Sequence, residues 1–169
     1  FPIADQTSPE DTNWSFHVPS KTFFDVDNTG PLTLSATLGD GSVLPAWLTF
    51  NGVTQTFSGK PPLDFNGSFD LKVTASDGIE SVSDSFKLTI AAVNDPPVLV
   101  NPIPDQSLIE DTAWSFKVAA NAFSDVDNST LIYSAKLDDG SALPAWLTFD
   151  GVMSSRSALS IRPSTSAFL

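Results

Sequence analysis

The chain repeats itself with a period near 100 residues, and this constrains its fold more than any other feature. Ile3-Ala4-Asp5-Gln6 returns as Ile103-Pro104-Asp105-Gln106, Glu10-Asp11-Thr12 as Glu110-Asp111-Thr112, and Trp14-Ser15-Phe16 as Trp114-Ser115-Phe116, each 100 positions on. Asp25-Val26-Asp27-Asn28 keeps that offset, whereas Pro45-Ala46-Trp47-Leu48-Thr49-Phe50 recurs 99 positions later, at 144–149. One residue has been lost from a loop between them, where few buried groups depend on length. A copy of this size can bury its own core, so 169 residues hold one complete domain and part of another. The expected division is a first domain over 1–97, a partial second repeat over 98–152, and a divergent Ser-rich tail over 153–169 that is disordered and supplies no closing strand.

Alternation of period 2 runs through the first copy, which places one set of side chains on a buried sheet face and the other in water. Trp14, Phe16 and Val18 alternate with Ser15 and His17; Leu32, Leu34, Ala36 and Leu38 alternate with Thr33, Ser35 and Thr37. Phe69, Leu71, Val73 and Ala75 form a third such set, and Phe86, Leu88 and Ile90 a fourth. Asp40-Gly41, Asn51-Gly52, Asn66-Gly67 and Asp77-Gly78 separate these runs, each pairing a residue that tolerates positive φ with one that accepts it freely. Short strands at this spacing, with no helical period, predict an all-β, antiparallel sandwich. The tryptophans fall at positions expected to anchor its core.

Twenty acidic against eight basic residues give a formal charge of −12, which repels nucleic acid and anionic lipid and favours cations. With no cysteine and one histidine, the abundant ligands are oxygens, which suit calcium, magnesium or manganese rather than zinc or copper. No apolar run is long enough to span a bilayer as a helix.

The acidic residues cluster. Glu10 and Glu110 each lead an Asp into a strand; Asp25 and Asp27, then Asp125 and Asp127, form Asp-x-Asp-Asn loops; Asp64, Asn66, Asp77, Asn94 and Asp95 complete the set. Asp-x-Asp can grip one cation from neighbouring positions, and the same residues are favoured turn formers, so metal binding and Asx turns stand as equal readings. EF-hand spacing is absent. Asn94-Asp95-Pro96-Pro97 is a stiff linker that also sets an amide and a carboxylate at the seam between copies. His17 has no partners spaced as a triad, and the paired carboxylates lack a sugar platform, so no enzyme is expected.

Taken in order, Glu-Asp, Phe-x-Asp-x-Asp, Pro-x-Trp-Leu, Phe-x-Leu-x-Val-x-Ala-x-Asp-Gly and Asn-Asp-x-Pro resemble the cadherin-like repeats, in particular the dystroglycan-type and bacterial cadherin-like subfamily, over residues 3–97 and in part 103–152. The resemblance implies tandem Ig-like sandwiches, the second incomplete, with calcium (Ca2+) at the junction and a role in adhesion in a cell-surface or secreted protein. It groups Glu10, Asp64, Asn66, Asn94 and Asp95 with Asp125 and Asp127, and leaves Asp25, Asp27 and Asp77 facing a preceding repeat. Asp64-Phe65-Asn66 stands where cadherins carry Asp-Arg-Glu, and Ala92-Val93-Asn94-Asp95 where they carry Asp-x-Asn-Asp. Fewer carboxylates imply weak affinity, toward the millimolar end of roughly 10⁻⁴–10⁻³ M. The expected partners are calcium and neighbouring repeats, with a polysaccharide or another surface protein as adhesion target. A calcium-dependent lectin-like module and a metal-free spacer are the alternatives.

Overall fold

The computed structural model describes residues 1–27 and 30–151, and the backbone of Leu159–Pro163. The chain divides into two units, Phe1–Val93 and Asn94–Leu169. Among the described residues every regular element is a strand.

The first unit contains β1 (Gln6–Pro9), β2 (Trp14–His17), β3 (Thr33–Leu38), β4 (Leu48–Asn51), β5 (Thr56–Gly59), β6 (Gly67–Ser76) and β7 (Ser81–Ala91). They form a four-stranded sheet in the order β1-β7-β6-β3 and a three-stranded sheet in the order β2-β5-β4. The core lies where the alternation puts it. Leu71, Val73 and Ala75 of β6, Phe86, Leu88 and Ile90 of β7, and Trp14, Leu34, Leu48 and Phe57 from their strands make one buried cluster. Intervening residues such as Ser35, Lys87 and His17 are exposed. One pairing departs from the antiparallel expectation: β1 runs parallel to β7, from Gln6 opposite Leu88 to Pro9 opposite Ala91. The first and last strands lie far apart in sequence, so no hairpin forces them to be antiparallel.

Three of the four Asx-Gly pairs serve the backbone as expected, with φ of +88° at Gly41, +149° at Gly67 and +96° at Gly78. Gly52 is small for another reason: a Cβ there would lie 2.3 Å from the carbonyl oxygen of Leu34. Gly151 repeats this, with its Cβ position 2.4 Å from the Tyr133 carbonyl. The two copies share the close approach.

The second unit holds β8 (Val98–Leu99), β9 (Phe116–Val118), β10 (Phe123–Ser124), β11 (Leu147–Asp150) and β12 (Leu159–Pro163). The order β11-β12-β9 repeats that of β4-β5-β2 in the first unit. A strand therefore does form within the tail, contrary to expectation: Leu147–Asp150 pairs with 160–163, and Phe116–Val118 with 159–161. Leu159 and Ile161 alternate with Ser160 and Arg162, a short pattern that reads as a strand only once two edges are there to receive it. The expectation of disorder over 153–158 and 164–169 lies outside the described residues. Among the described residues the other pairing of this unit is the two-residue match of β8 with β10. Residues 132–137 keep the alternation of β3 yet form no strand, because no described segment takes the place of β6 beside them.

Candidate metal centre at the end of the first unit

Glu10 follows β1 directly, and β1 pairs with the last residues of β7. The Glu10 N–H donates to the Ala91 carbonyl at 2.9 Å, and its Oε1 accepts the Val93 N–H at 2.7 Å. The residue is 2% exposed. Its second oxygen, Oε2, is buried and meets no hydrogen-bond donor among the described residues. A buried carboxylate oxygen without a donor is costly, and it is the strongest sign in this unit that something positive belongs beside it.

Next to Glu10, Asp11 adopts φ of +59°, and Asp64, in the loop before β6, adopts +58°. Left-handed backbone at a non-glycine residue stores strain that surrounding contacts must hold. Here the contact is direct: the Asp64 N–H donates to Asp11 Oδ1 at 3.0 Å. The two residues offer carboxylate oxygens within 4.8 Å of each other. Asp11 was absent from the expected ligand set. Its signal was present, because Glu-Asp recurs as Glu110-Asp111 and Asp111 repeats the left-handed φ at +58°. Asn66 is exposed at the end of the same loop.

Asn94, Asp95, Asp125 and Asp127 are gathered in the second unit. The Asp95 N–H donates to Asp127 Oδ2 at 2.6 Å, and the Asn128 amide donates to Asn94 Oδ1 at 3.1 Å. Asn94-Asp95 therefore belongs with the second repeat rather than closing the first, a division set by these bonds. Asp125 Oδ1 accepts N–H groups from Asp127 at 2.9 Å and Asn128 at 2.8 Å, an Asx turn. Glu110, the counterpart of buried Glu10, is exposed.

At the other end of the first unit, Asp25 and Asp77 line one open cavity of about 210 Å³ with Val26, Leu32 and Glu80. Asp27 is tied to Asp25, whose Oδ1 accepts its N–H at 2.9 Å. Asp77 Oδ1 accepts the N–H groups of Ile79 and Glu80 at 2.8 and 2.7 Å, and the Glu80 donor, then the Ile79 donor, holds this carboxyl below its ordinary value. A depressed carboxyl stabilises the fold above its unfolded value and loses that contribution as pH falls through its folded value. Asp77→Ala should therefore lower the melting temperature at neutral pH, with the gap to the parent closing in acid below the ordinary carboxylate range; melts recorded across pH check this. His17 sits exposed on β2 with Nδ1 3.0 Å from the Thr54 carbonyl and 3.4 Å from Thr56 Oγ1, both local contacts.

Residues 2–91 and 96–152 match the family described as Putative Ig domain (He_PIG). The chain belongs to that family. Both repeats are thus Ig domains by sequence as well as by fold. Among curated proteins, none matches the chain. Solved structures similar to this Ig-domain pair include the endo-fucoidan hydrolase MfFcnA9 from glycoside hydrolase family 107, at 20% identity and a TM-score of 0.45 over 98% of this chain and 28% of that one. Another is the endo-fucoidan hydrolase MfFcnA4 of the same family, at 20% identity and a TM-score of 0.41 over 96% of this chain and 23% of that one. The titin domains z1z2 in complex with telethonin are similar at 14% identity and a TM-score of 0.43, over 99% of this chain and 80% of that one. The chain spans about a quarter of the length of the two hydrolases. No helix is long and apolar enough to cross a membrane among the described residues.

Proposed function

We propose that this Ig-domain pair is a calcium-binding, cadherin-like module of a cell-surface or secreted adhesion protein, in which calcium stiffens the joint between repeats, and that it is not an enzyme. The observation that carries this reading is Glu10 Oε2, a buried carboxylate oxygen without a donor, beside the Asp11–Asp64 pair. The donors are oxygens alone, which fits a hard cation such as calcium. Glu10 holds Val93, and Asn94-Asp95 follow it directly in the chain, so an ion on Glu10 would sit where the first repeat hands over to the second. Asp125 and Asp127 would add charge from that side, as the resemblance to cadherin-like repeats implies. Neighbouring repeats would be the mechanical partners, and a polysaccharide or another surface protein the adhesion target.

Calorimetry should give a dissociation constant of roughly 10⁻⁴–10⁻³ M for calcium on the full chain, and Glu10→Gln should weaken it about tenfold or more. Melting separates ligand loss from damage. In chelator Glu10→Gln should melt at or above the parent temperature, because it removes a buried charge that no donor satisfies. In saturating calcium the order should reverse. Equal calcium affinity in the two proteins would remove Glu10 from the site.

A metal-free structural spacer is the second reading, and the Asx turns at Asp25, Asp77 and Asp125 favour it, since backbone N–H groups already occupy those oxygens. A melting temperature unchanged across calcium concentrations would support it. The lectin-like alternative draws on Trp146, which is 49% exposed, and binding to a polysaccharide panel with and without chelator would test it.

A further inference from the structure

Of the chain's asparagines, only Asn51 and Asn66 precede glycine. Glycine has no side chain to shield its backbone nitrogen, so an Asn-Gly pair is where an asparagine amide is most open to attack by the main chain. The fold treats the two pairs differently. Asn51 lies in β4 opposite Thr56, and its Oδ1 accepts the N–H groups of Val53 and Thr54 at 3.0 and 3.1 Å. Gly52 is half-buried, and the Leu34 carbonyl oxygen, 2.3 Å from where a Cβ would sit, leaves the peptide no room to turn. Asn66, Gly67 and Ser68 are all exposed, and the Asn66 side chain makes no hydrogen bond among the described residues. A Cβ at Gly67 would meet the Phe65 ring at 3.5 Å, an ordinary contact. Gly67 opens β6 and pairs with Ile90 of β7, while β3 pairs with β6 no further than Leu71. The Asn66–Gly67 peptide therefore sits at the end of a ladder held from one side, where strands open most readily.

We propose that Asn66-Gly67 is a self-modification site, at which the folded chain converts the Asn66 amide to a carboxylate while Asn51-Gly52 is spared. The Gly67 nitrogen, losing its proton, attacks Asn66 Cγ. The bond from Cγ to the side-chain nitrogen breaks, and ammonia leaves with that proton as a cyclic imide closes. Water then opens the imide at one of its two carbonyls. Breaking the new bond at Cγ restores the ordinary backbone with an aspartate side chain; breaking the bond at the main-chain carbonyl carbon leaves isoaspartate, with the chain running through the side chain. Either product adds a negative charge to the loop that carries Asp64, whose N–H is held by Asp11 Oδ1. At Asn51 the same attack would have to break the bonds to Val53 and Thr54 and lift Gly52 away from Leu34.

The test incubates the full chain at mildly alkaline pH in chelator, so that calcium plays no part, once folded and once in urea. Digestion and mass spectrometry follow the change from amide to acid at residues 51 and 66, and enzymatic methylation of isoaspartate gives a second readout. In urea the two asparagines should react at similar rates, because only the shared Asn-Gly sequence then decides. In the folded chain Asn66 should react about tenfold or more faster than Asn51, which reaches the imide only through local opening. Asn66→Gln should remove the fast product and leave the rate at Asn51 unchanged. Similar rates at the two residues in the folded chain would overturn the inference. So would an unmodified Asn66 in the folded chain over a time in which the chain in urea converts both.

Discussion

Phe57→Ala should destabilise the first repeat by about 3–5 kcal/mol, the largest effect expected of any single truncation in the chain. Phe57 is 0% exposed at the middle strand of the β2-β5-β4 sheet. Its ring lies 4.5 Å from Phe50, 5.7 Å from Phe86 and 6.0 Å from Trp14, so it joins residues of both sheets. Removing it leaves a cavity bounded by strands that are tied into ladders on either side and cannot close over it. Against a stability of roughly 5–15 kcal/mol for a domain of this size, such a loss threatens the fold itself. Urea denaturation of the first repeat, monitored by Trp fluorescence, measures the difference. A loss below about 1 kcal/mol would mean that the two sheets do not share this side chain as their common packing point.

Gly52→Ala is expected to cost about 1–3 kcal/mol through a different mechanism, overpacking. An added Cβ would sit 2.3 Å from the Leu34 carbonyl oxygen, closer than any real contact, so β3 and the end of β4 would have to move apart. That oxygen belongs to a strand held over six residues by β6, and it has little freedom to retreat. The second repeat supplies an internal comparison. Gly151→Ala meets the Tyr133 carbonyl at 2.4 Å, but among the described residues no strand pairs with the stretch around Tyr133 as β6 pairs with β3, so the same substitution should cost less there. Thermal melts of the two variants check the ranking, and equal costs would contradict it.

The strands of the first repeat were legible because alternation and burial describe the same faces: Leu71, Val73 and Ala75 on one side of β6, Asp70 and Lys72 on the other. What alternation cannot carry is pairing. The parallel match of β1 with β7 depends on residues more than 80 positions apart, and the lack of a strand at 132–137 depends on a pairing partner that no described segment supplies. Trp146 was expected in a core on the strength of Trp47, yet a tryptophan is buried only if its neighbours are supplied, and the counterparts of Phe65 and Phe69 are not among the described residues. Gly52 was readable as a turn residue, but its role is close approach, which only the path of β3 reveals.

For the candidate metal centre, composition limits the available ligands to oxygens, while the grouping of individual acids depends on geometry. Glu10 and Asp64 belong to the first unit with Asp11, and Asn94, Asp95, Asp125 and Asp127 to the second. Several acids were spent on structure in ways that spacing does not announce. Asp84 Oδ2 accepts the Ile3 N–H at 2.6 Å and Asp5 Oδ1 the Lys87 N–H at 2.8 Å, so both tie the N-terminal segment to β7 rather than wait for a cation.

The most direct measurement is a crystal structure of the chain grown in saturating calcium. The account predicts an ion about 2.3–2.6 Å from Glu10 Oε2, with oxygens of Asp11 and Asp64 in the same coordination shell. Glu10 Oε2 bonded instead to a protein donor or a lone water, with no ion within reach at saturating calcium, would contradict it.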